Sequence, residues 1–318
     1  MPRVVYDSHY NIGCWGSDRL HPFDTRKYAR SWQELQRTLG PQLAQCHQQV
    51  DRPVTDEELL LIHSPEYMAR LRSSAAIAAV TEVPLLKRLP TWLLRWALLT
   101  PMRWAARGTV LACRAAIASG IAVNLGGGFH HAKYDRGEGF CFFSDIALAI
   151  HQLRTEQRIM AGDRIAYIDL DAHQGNGVCH FFENDGDVFI FDLYNADIYP
   201  SYELRSRQRI DCDLPVHSGC TGDEYLRLVR SHLPPFLDSI SRNGKVVLGI
   251  YNAGTDVSER DALGRLSLTD ADVFERDHFT LAQFRQRNIP VAMLTSGGYT
   301  AHSYQLIANT IGEILRDG

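Results

Sequence analysis

Six short runs of the chain, 3–6, 121–125, 164–170, 188–193, 246–251 and 290–295, are almost continuously apolar, and most of them give way to glycine or polar residues. Runs of this length without alternation read as strands buried on both faces, the pattern of a parallel sheet. Stretches of helical spacing intervene, so the predicted fold class is α/β: a three-layer parallel sheet flanked by helices. The spacing over 144–153 predicts one such helix, with Ser144 as its N-cap.

Four of the runs lead directly into residues that carry chemistry. The run at 121–125 continues into NLGGGFHH, which sets His130 beside His131. The run at 164–170 continues through YIDLDAHQGNG, where Asp169, Asp171 and His173 recur at every second position and so share one face. The run at 246–251 reaches Asp256 in YNAGTD, and the run at 290–295 reaches Tyr299 beside two glycines that let the backbone approach a substrate closely. Open α/β sheets bind ligands outside the carboxyl ends of their strands, so all four exits are expected at one edge.

Two carboxylates and an imidazole, Asp171, Asp256 and His173, make a candidate metal site that leaves a position for water, the hallmark of a catalytic rather than a structural centre. A metal there brings the pKa of its water down toward about 7 and polarises a carbonyl. Tyr299 is then placed to stabilise an oxyanion. His131 is placed to move the proton, a contribution worth typically about 10² to 10⁴ in rate. The reaction class is metal-assisted amide hydrolysis. Taken singly, each piece has an ordinary alternative: a hydrogen-bonded turn for the Asp-Ala-His stretch, a helix cap for Asp256, a core aromatic for Tyr299. Their convergence on one sheet edge favours the site.

Together with LHPFD (20–24), TEVP (81–84) and DRGEGFC (135–141), these stretches resemble the zinc-dependent histone deacetylases of the arginase–deacetylase fold, most closely class IV. The resemblance implies zinc on Asp171, His173 and Asp256, with Tyr299 polarising the acyl carbonyl. It implies that His131 is the general base and acid, with His130, backed by Asp169, acting electrostatically. Gly139 and Phe140 are implied as a wall of the acyl-lysine tunnel, with Tyr199 and Leu263 at its mouth. A structural potassium ion is implied as well, held largely by backbone oxygens around Asp169, Asp171, His173, Asp192 and Leu193. His21 and Lys27 are placed behind the pocket. Iron(II) is the alternative occupant of such an oxygen-rich site.

Two positions depart from the class I pattern. Asn176 stands where an aspartate would orient the base histidine, and an amide cannot stabilise an imidazolium by full charge, so a lower pKa is expected for His131. Lys27 stands where an arginine is frequent, keeping the charge but losing the planar fork. The implied substrate is an acylated lysine of a protein or peptide, carrying acetyl or a long fatty acyl group as in class IV, and a small acylated amine such as an acetylpolyamine is the alternative. The binuclear hydrolases of the same fold need further carboxylates where this chain has Gly175, Gly254 and Ser258, which argues against them. A metal-free binding module is the non-enzymatic alternative, opposed by the complete set of three ligands, two histidines and a tyrosine.

Composition narrows the picture further. The site elements extend from His130 to Tyr299 of 318 residues, which predicts one catalytic domain over 1–318. With 45% hydrophobic residues the chain can bury a large core. Its 7 cysteines, odd in number and without a CxxC pair, suggest reduced thiols and a cytoplasmic setting. A net charge of −4 without a basic tail argues against nucleic acid as a direct partner. The first residues, MPRVVYDSHYNIGCWG, lack the apolar core of a signal peptide. His63 is expected at a turn before a helix, and Cys141 in the packed core.

The segment 85–107 is unusual, mixing Trp92, Trp96 and Trp104 with Lys87, Arg88, Arg95, Arg103 and Arg107. Helices that lie on membrane surfaces have this composition. Pro90 and Pro101 are expected to break it into pieces shorter than the roughly 20 residues a span requires. One reading is a helix pair covering the sheet with its arginines exposed. The other is an apolar rim beside the tunnel, favouring a long acyl chain and weak membrane-surface contact.

Overall fold

The structure, a computed structural model, describes residues 1–12, 26–242 and 244–316. All six apolar runs form strands of one parallel sheet: β1 (Arg3–Val5), β3 (Ile121–Asn124), β4 (Arg164–Asp169), β5 (Val188–Asn195), β7 (Val246–Asn252) and β8 (Val291–Leu294). Two further strands complete it, β2 (His47–Gln48) and β6 (Cys212–Val216), giving the order β2-β1-β3-β8-β7-β4-β5-β6. Every residue of β3 and β8 is buried, as expected of strands covered on both faces. The edge strand β6 alternates exposed and covered positions and carries Pro215, which a central strand would not tolerate.

The longer helices pack in pairs: Lys27–Leu39 against Ser303–Arg316, Thr100–Ser119 against Asp145–Thr155, and Gly222–Arg242 against Asp270–Gln286. Ser144 caps its helix as expected, its hydroxyl accepting from the Ala147 N–H. What positions the site is the run β3-β8-β7-β4 in the middle of the sheet. These are the four strands whose exits carry His130 and His131, Tyr299, Asp256, and Asp171 with His173, so their loops emerge side by side.

The segment 85–107 departs from expectation in two ways. Pro101 does not interrupt it: helical backbone runs from Thr91 through a π-turn at Arg95–Leu99 into Thr100–Ser119, and the wider turn accommodates the missing N–H. Nor are all its arginines exposed. Arg107 is buried and forked onto Asp51 at 2.8 Å twice, while Arg103 holds Asp56 and the Val54 carbonyl. Arg95 alone of these three faces solvent. Among the described residues, no helix is long and apolar enough to cross a membrane.

His63 precedes the helix Pro65–Arg70, as expected, but it is fully buried and its Nε2 accepts from the Ser144 N–H at 3.1 Å. Burial pushes its pKa down to about 4. In the unfolded chain an imidazole titrates near 6.5, so the unfolded state binds the extra proton first. Stability from this group is therefore complete above about pH 6.5 and is lost as pH falls toward 4, by about 3 kcal/mol. His63→Gln is expected to remove that part of the acid sensitivity. Urea midpoints between pH 4 and 7 check this, and an unchanged pH slope in the variant would contradict it.

Candidate active site

The loop after β3 is fixed from below by one buried carboxylate. Asp145 accepts from the N–H groups of Gly128 and Phe129, each at 2.8 Å, and from the Thr109 hydroxyl at 2.5 Å. The loop thereby delivers His130 and His131 together, buried, with ring centroids 4.0 Å apart. Their partners differ. His130 Nδ1 lies 2.8 Å from Asp169, whose carboxylate also accepts from the Tyr167 hydroxyl and the Asn252 amide. Burial works against a charge on His130, but Asp169 and Asp171 outweigh it and raise its pKa.

His131 Nδ1 instead meets the Asn176 side-chain oxygen at 2.8 Å. Burial, reinforced by repulsion from His130 and His173, holds its pKa well below the ordinary imidazole value. Asn176 is not free to turn. Its amide N–H groups donate to Glu203 at 3.1 Å and Glu138 at 3.3 Å, so its carbonyl must face the histidine. His131 then carries its proton on Nδ1, and Nε2 is left as a base. Behind the amide, buried Lys133 donates to both glutamates, and the Tyr199 hydroxyl donates to Glu138 at 3.0 Å.

Asp171, His173 and Asp256 converge as expected, all buried, with one ligand atom of each within 4.8 Å of the others. His173 Nδ1 lies 2.9 Å from Asp256 and 3.1 Å from Asp171. Burial opposes a charge on this ring, yet the two carboxylates outweigh it and raise its pKa to about 10. Asp256 in turn is pushed up to about 7 by burial and by Asp171. Two buried carboxylates this close call for a shared cation. Space for one is kept by Gly297, since a Cβ there would collide with the carboxylates of both Asp171 and Asp256. An O, O, N donor set of this kind suits zinc or iron(II).

Tyr299 stands over the trio, its ring centroid 6.0 Å from that of His173. Its backbone N–H donates to Asp261 at 2.7 Å, and Asp261 also accepts from Leu263 at 3.0 Å, tying the tyrosine to the far wall of the tunnel. Burial, with Asp256 and Asp171 nearby, pushes the phenol pKa well up, so the hydroxyl keeps its proton. Buried Lys27 donates to the carbonyls of Ser296 at 2.5 Å and Gly298 at 3.3 Å, bracing the turn before Tyr299. His21, with the rest of LHPFD, lies outside the described residues.

Two cavities meet at this centre. One, about 350 Å³, is lined by Gly139, Phe140, Tyr199, Leu263, His173 and Tyr299, which brings all four tunnel candidates to a single mouth, with Glu82, Asp197 and Arg265 also lining it. Gly139 has a φ of 50° and lies so close to His131 that a Cβ would collide with its ring. The other cavity, about 420 Å³, extends from His130, His131 and Tyr299 between Phe129, Phe140 and the segment at Val83, Leu86, Leu94, Leu98 and Met102. Cys141 also borders this cavity, and burial pushes its thiol pKa up, the state of an inert side chain rather than a nucleophile.

Asp192 pairs in register with Asp169 across β5 and β4. One of its carboxylate oxygens accepts from the Gly175 N–H at 2.9 Å, while the other is buried without a hydrogen-bond partner among the described residues. Leu193 follows it on the same strand, also buried. An orphaned buried carboxylate oxygen fits a bound cation at this place.

Sequence reasoning did not single out Glu138, Glu203, Lys133 or Asp261. Glu138 lies within DRGEGFC, but nothing in the sequence pairs it with Glu203. Asp261 sits in a loop whose hydrogen bonds become visible only when Tyr299 is placed beside it.

Comparison with known proteins gives a consistent picture. The family model described as the histone deacetylase domain matches residues 21–315. Histone deacetylase 2 of Arabidopsis thaliana is 41% identical over 315 residues, covering 99% of this chain and 79% of that protein. Histone deacetylase 2 of Oryza sativa subsp. japonica is 29% identical, covering 94% of this chain and 58% of its own length. The crystal structure of the HDA15 HD domain shares the fold, with a TM-score of 0.75 over 99% of this chain and 91% of that one at 18% identity.

Proposed function

The chain belongs to the histone deacetylase family, and from that premise we propose that it hydrolyses the amide of acylated lysine side chains at a zinc centre, with long fatty acyl groups preferred. The observation that carries the reading is the meeting of two cavities at His131, Phe140 and Tyr299, beside the cluster of Asp171, His173 and Asp256: a lysine-sized tunnel on one side and a larger apolar chamber on the other. A divalent metal held by these three residues supplies Lewis acidity and a water of lowered pKa.

The chain's own residues do the rest. The Tyr299 hydroxyl donates to the acyl carbonyl oxygen and stabilises the negative charge that develops there. His131, neutral and with Nε2 unprotonated, takes the proton of the attacking water and returns it to the departing lysine amine. His131 is kept from protonating by burial and then by His130, whose own pKa Asp169 and Asp171 raise against burial, so two adjacent imidazoles serve opposite purposes. Phe140 and Tyr199 wall the lysine stem. A potassium ion at Asp192 and Asp169 would neutralise the carboxylates beneath the metal ligands.

Apolar lining decides between acyl groups. Acetyl would leave most of a 420 Å³ chamber unfilled, whereas a fatty chain covers Leu86, Leu94, Leu98 and Met102 and leaves water outside. This is the behaviour expected of a class IV member. Glu82 and Asp197 at the tunnel mouth suit the free ammonium of a small acylated amine, so N-acetylputrescine is the comparison substrate. Leu98→Trp is expected to narrow the chamber and lower kcat/KM for a myristoyl-lysine peptide by about tenfold or more, leaving acetyl-lysine within about twofold. Equal losses on the two peptides, or turnover of N-acetylputrescine alone, would contradict the fatty-acyl assignment.

A further inference from the structure

We infer that the exposed face of the segment 84–96 docks on the surface of a bilayer containing anionic phospholipid, so that the fatty acid freed in the apolar chamber leaves into the lipid. The segment has two faces with different chemistry. Leu86, Leu94 and Leu98 point inward and line the chamber. Trp92, Arg95 and Trp96 lie three or four positions apart on the opposite side of the same helical turns and are exposed, Trp92 by 70% and Trp96 by 57%. Tryptophan in such numbers on an open face is unusual for a surface that meets only water, and its amphipathic ring suits the headgroup region.

The charges on this face all have one sign. Lys87, Arg88 and Arg95 are exposed and form no ion pair among the described residues. No aspartate or glutamate occurs between Glu82 and Asp135. A protein of net charge −4 thus concentrates unopposed cations beside exposed indoles, a combination complementary to an anionic interface. Arg103 and Arg107, which are paired with Asp56 and Asp51, are not part of this surface.

Continuity with the chamber gives the surface its purpose. Leu85 and Leu89 both line the chamber and are exposed, by 60% and 38%, which opens the chamber to the outside at the face that carries Trp92 and Arg95. The lysine tunnel opens elsewhere, between Tyr199, Leu263 and Arg265. A fatty acid freed at the centre can therefore pass into lipid without crossing water. The inference rests on the fatty-acyl reading for its purpose, but the docking itself is measured without turnover.

The test is sedimentation of the full chain with vesicles of phosphatidylcholine alone and of phosphatidylcholine mixed with phosphatidylserine. Binding to the mixed vesicles that weakens with salt is expected, with little binding to phosphatidylcholine. Trp92→Ser with Trp96→Ser, and separately Lys87→Glu with Arg95→Glu, are expected to lower partition by about tenfold or more while hydrolysis of a soluble acetyl-lysine peptide is unchanged. Failure of the wild-type chain to bind, equal binding by the variants, or a dimer in solution that the tryptophan variant disperses would overturn the docking. A chain that binds vesicles but cleaves no acyl-lysine peptide would leave the docking standing and overturn the functional reading instead.

Discussion

Asp256→Asn is expected to lower kcat/KM on any acyl-lysine peptide by about 10³ or more, because the several kcal/mol of stabilisation that a catalytic metal supplies goes with its third ligand. The amide keeps the volume of the carboxylate and an oxygen to accept from the Ala172 N–H, which lies 3.0 Å from Asp256. Removing one of two crowded carboxylates also relieves their repulsion, so folding should not suffer. The expected signature is a thermal midpoint near that of the parent together with loss of bound zinc after dialysis. Retained zinc and activity within about tenfold of the parent would show that Asp256 is not a ligand.

Asn176 is the second position with a large expected effect, and the direction depends on what replaces it. Asn176→Leu removes the acceptor for the Nδ1 proton of His131, so the ring no longer has its base nitrogen fixed toward the centre. A loss of about 10² in kcat is expected, the lower end of what general base catalysis contributes. Asn176→Asp keeps the acceptor and adds an anion. An anion beside an imidazole favours its protonated form, so the pKa of His131 rises from its depressed value. Since only neutral His131 can take a proton, the acidic limb of the kcat profile should move to higher pH, while the plateau changes less than in the leucine variant. The new carboxylate also meets Glu138 and Glu203, which now accept from the amide, and this will limit how far it ionises. A limb that stays in place in the aspartate variant would remove His131 from the role of base.

Most of the fold was legible because the central strands are buried on both faces, which gives continuous apolar runs that nothing else of that length resembles. The strands that escaped are the ones that break this rule. His47–Gln48 is two residues long, and Cys212–Val216 is an edge strand whose alternation and Pro215 hide it. Asp171, His173, Asp256, His131 and Tyr299 were legible for a related reason: each follows a buried strand and sits among glycines, so their proximity follows from topology alone. The hydrogen-bonded groups behind them were not. Asn176 is fixed by Glu138 and Glu203 across a loop closure that no local pattern encodes, and no sequence pattern marks Lys133 as the buried lysine that it is. Similarly, the basic and aromatic segment 85–107 could be read as cover or as rim. Only burial separates Arg103 and Arg107, which serve the fold, from Lys87, Arg88 and Arg95, which face outward.

The proposed chemistry depends above all on Asp171, His173 and Asp256 forming a hydrolytic metal centre. The decisive measurement is hydrolysis of a myristoyl-lysine peptide by chelator-stripped protein as zinc is returned in increments. Activity that is absent after stripping and rises linearly to a plateau at one zinc per chain is the predicted result. Stripped protein that turns over as fast as the untreated enzyme, or that stays inactive while zinc binds at this site, would contradict it.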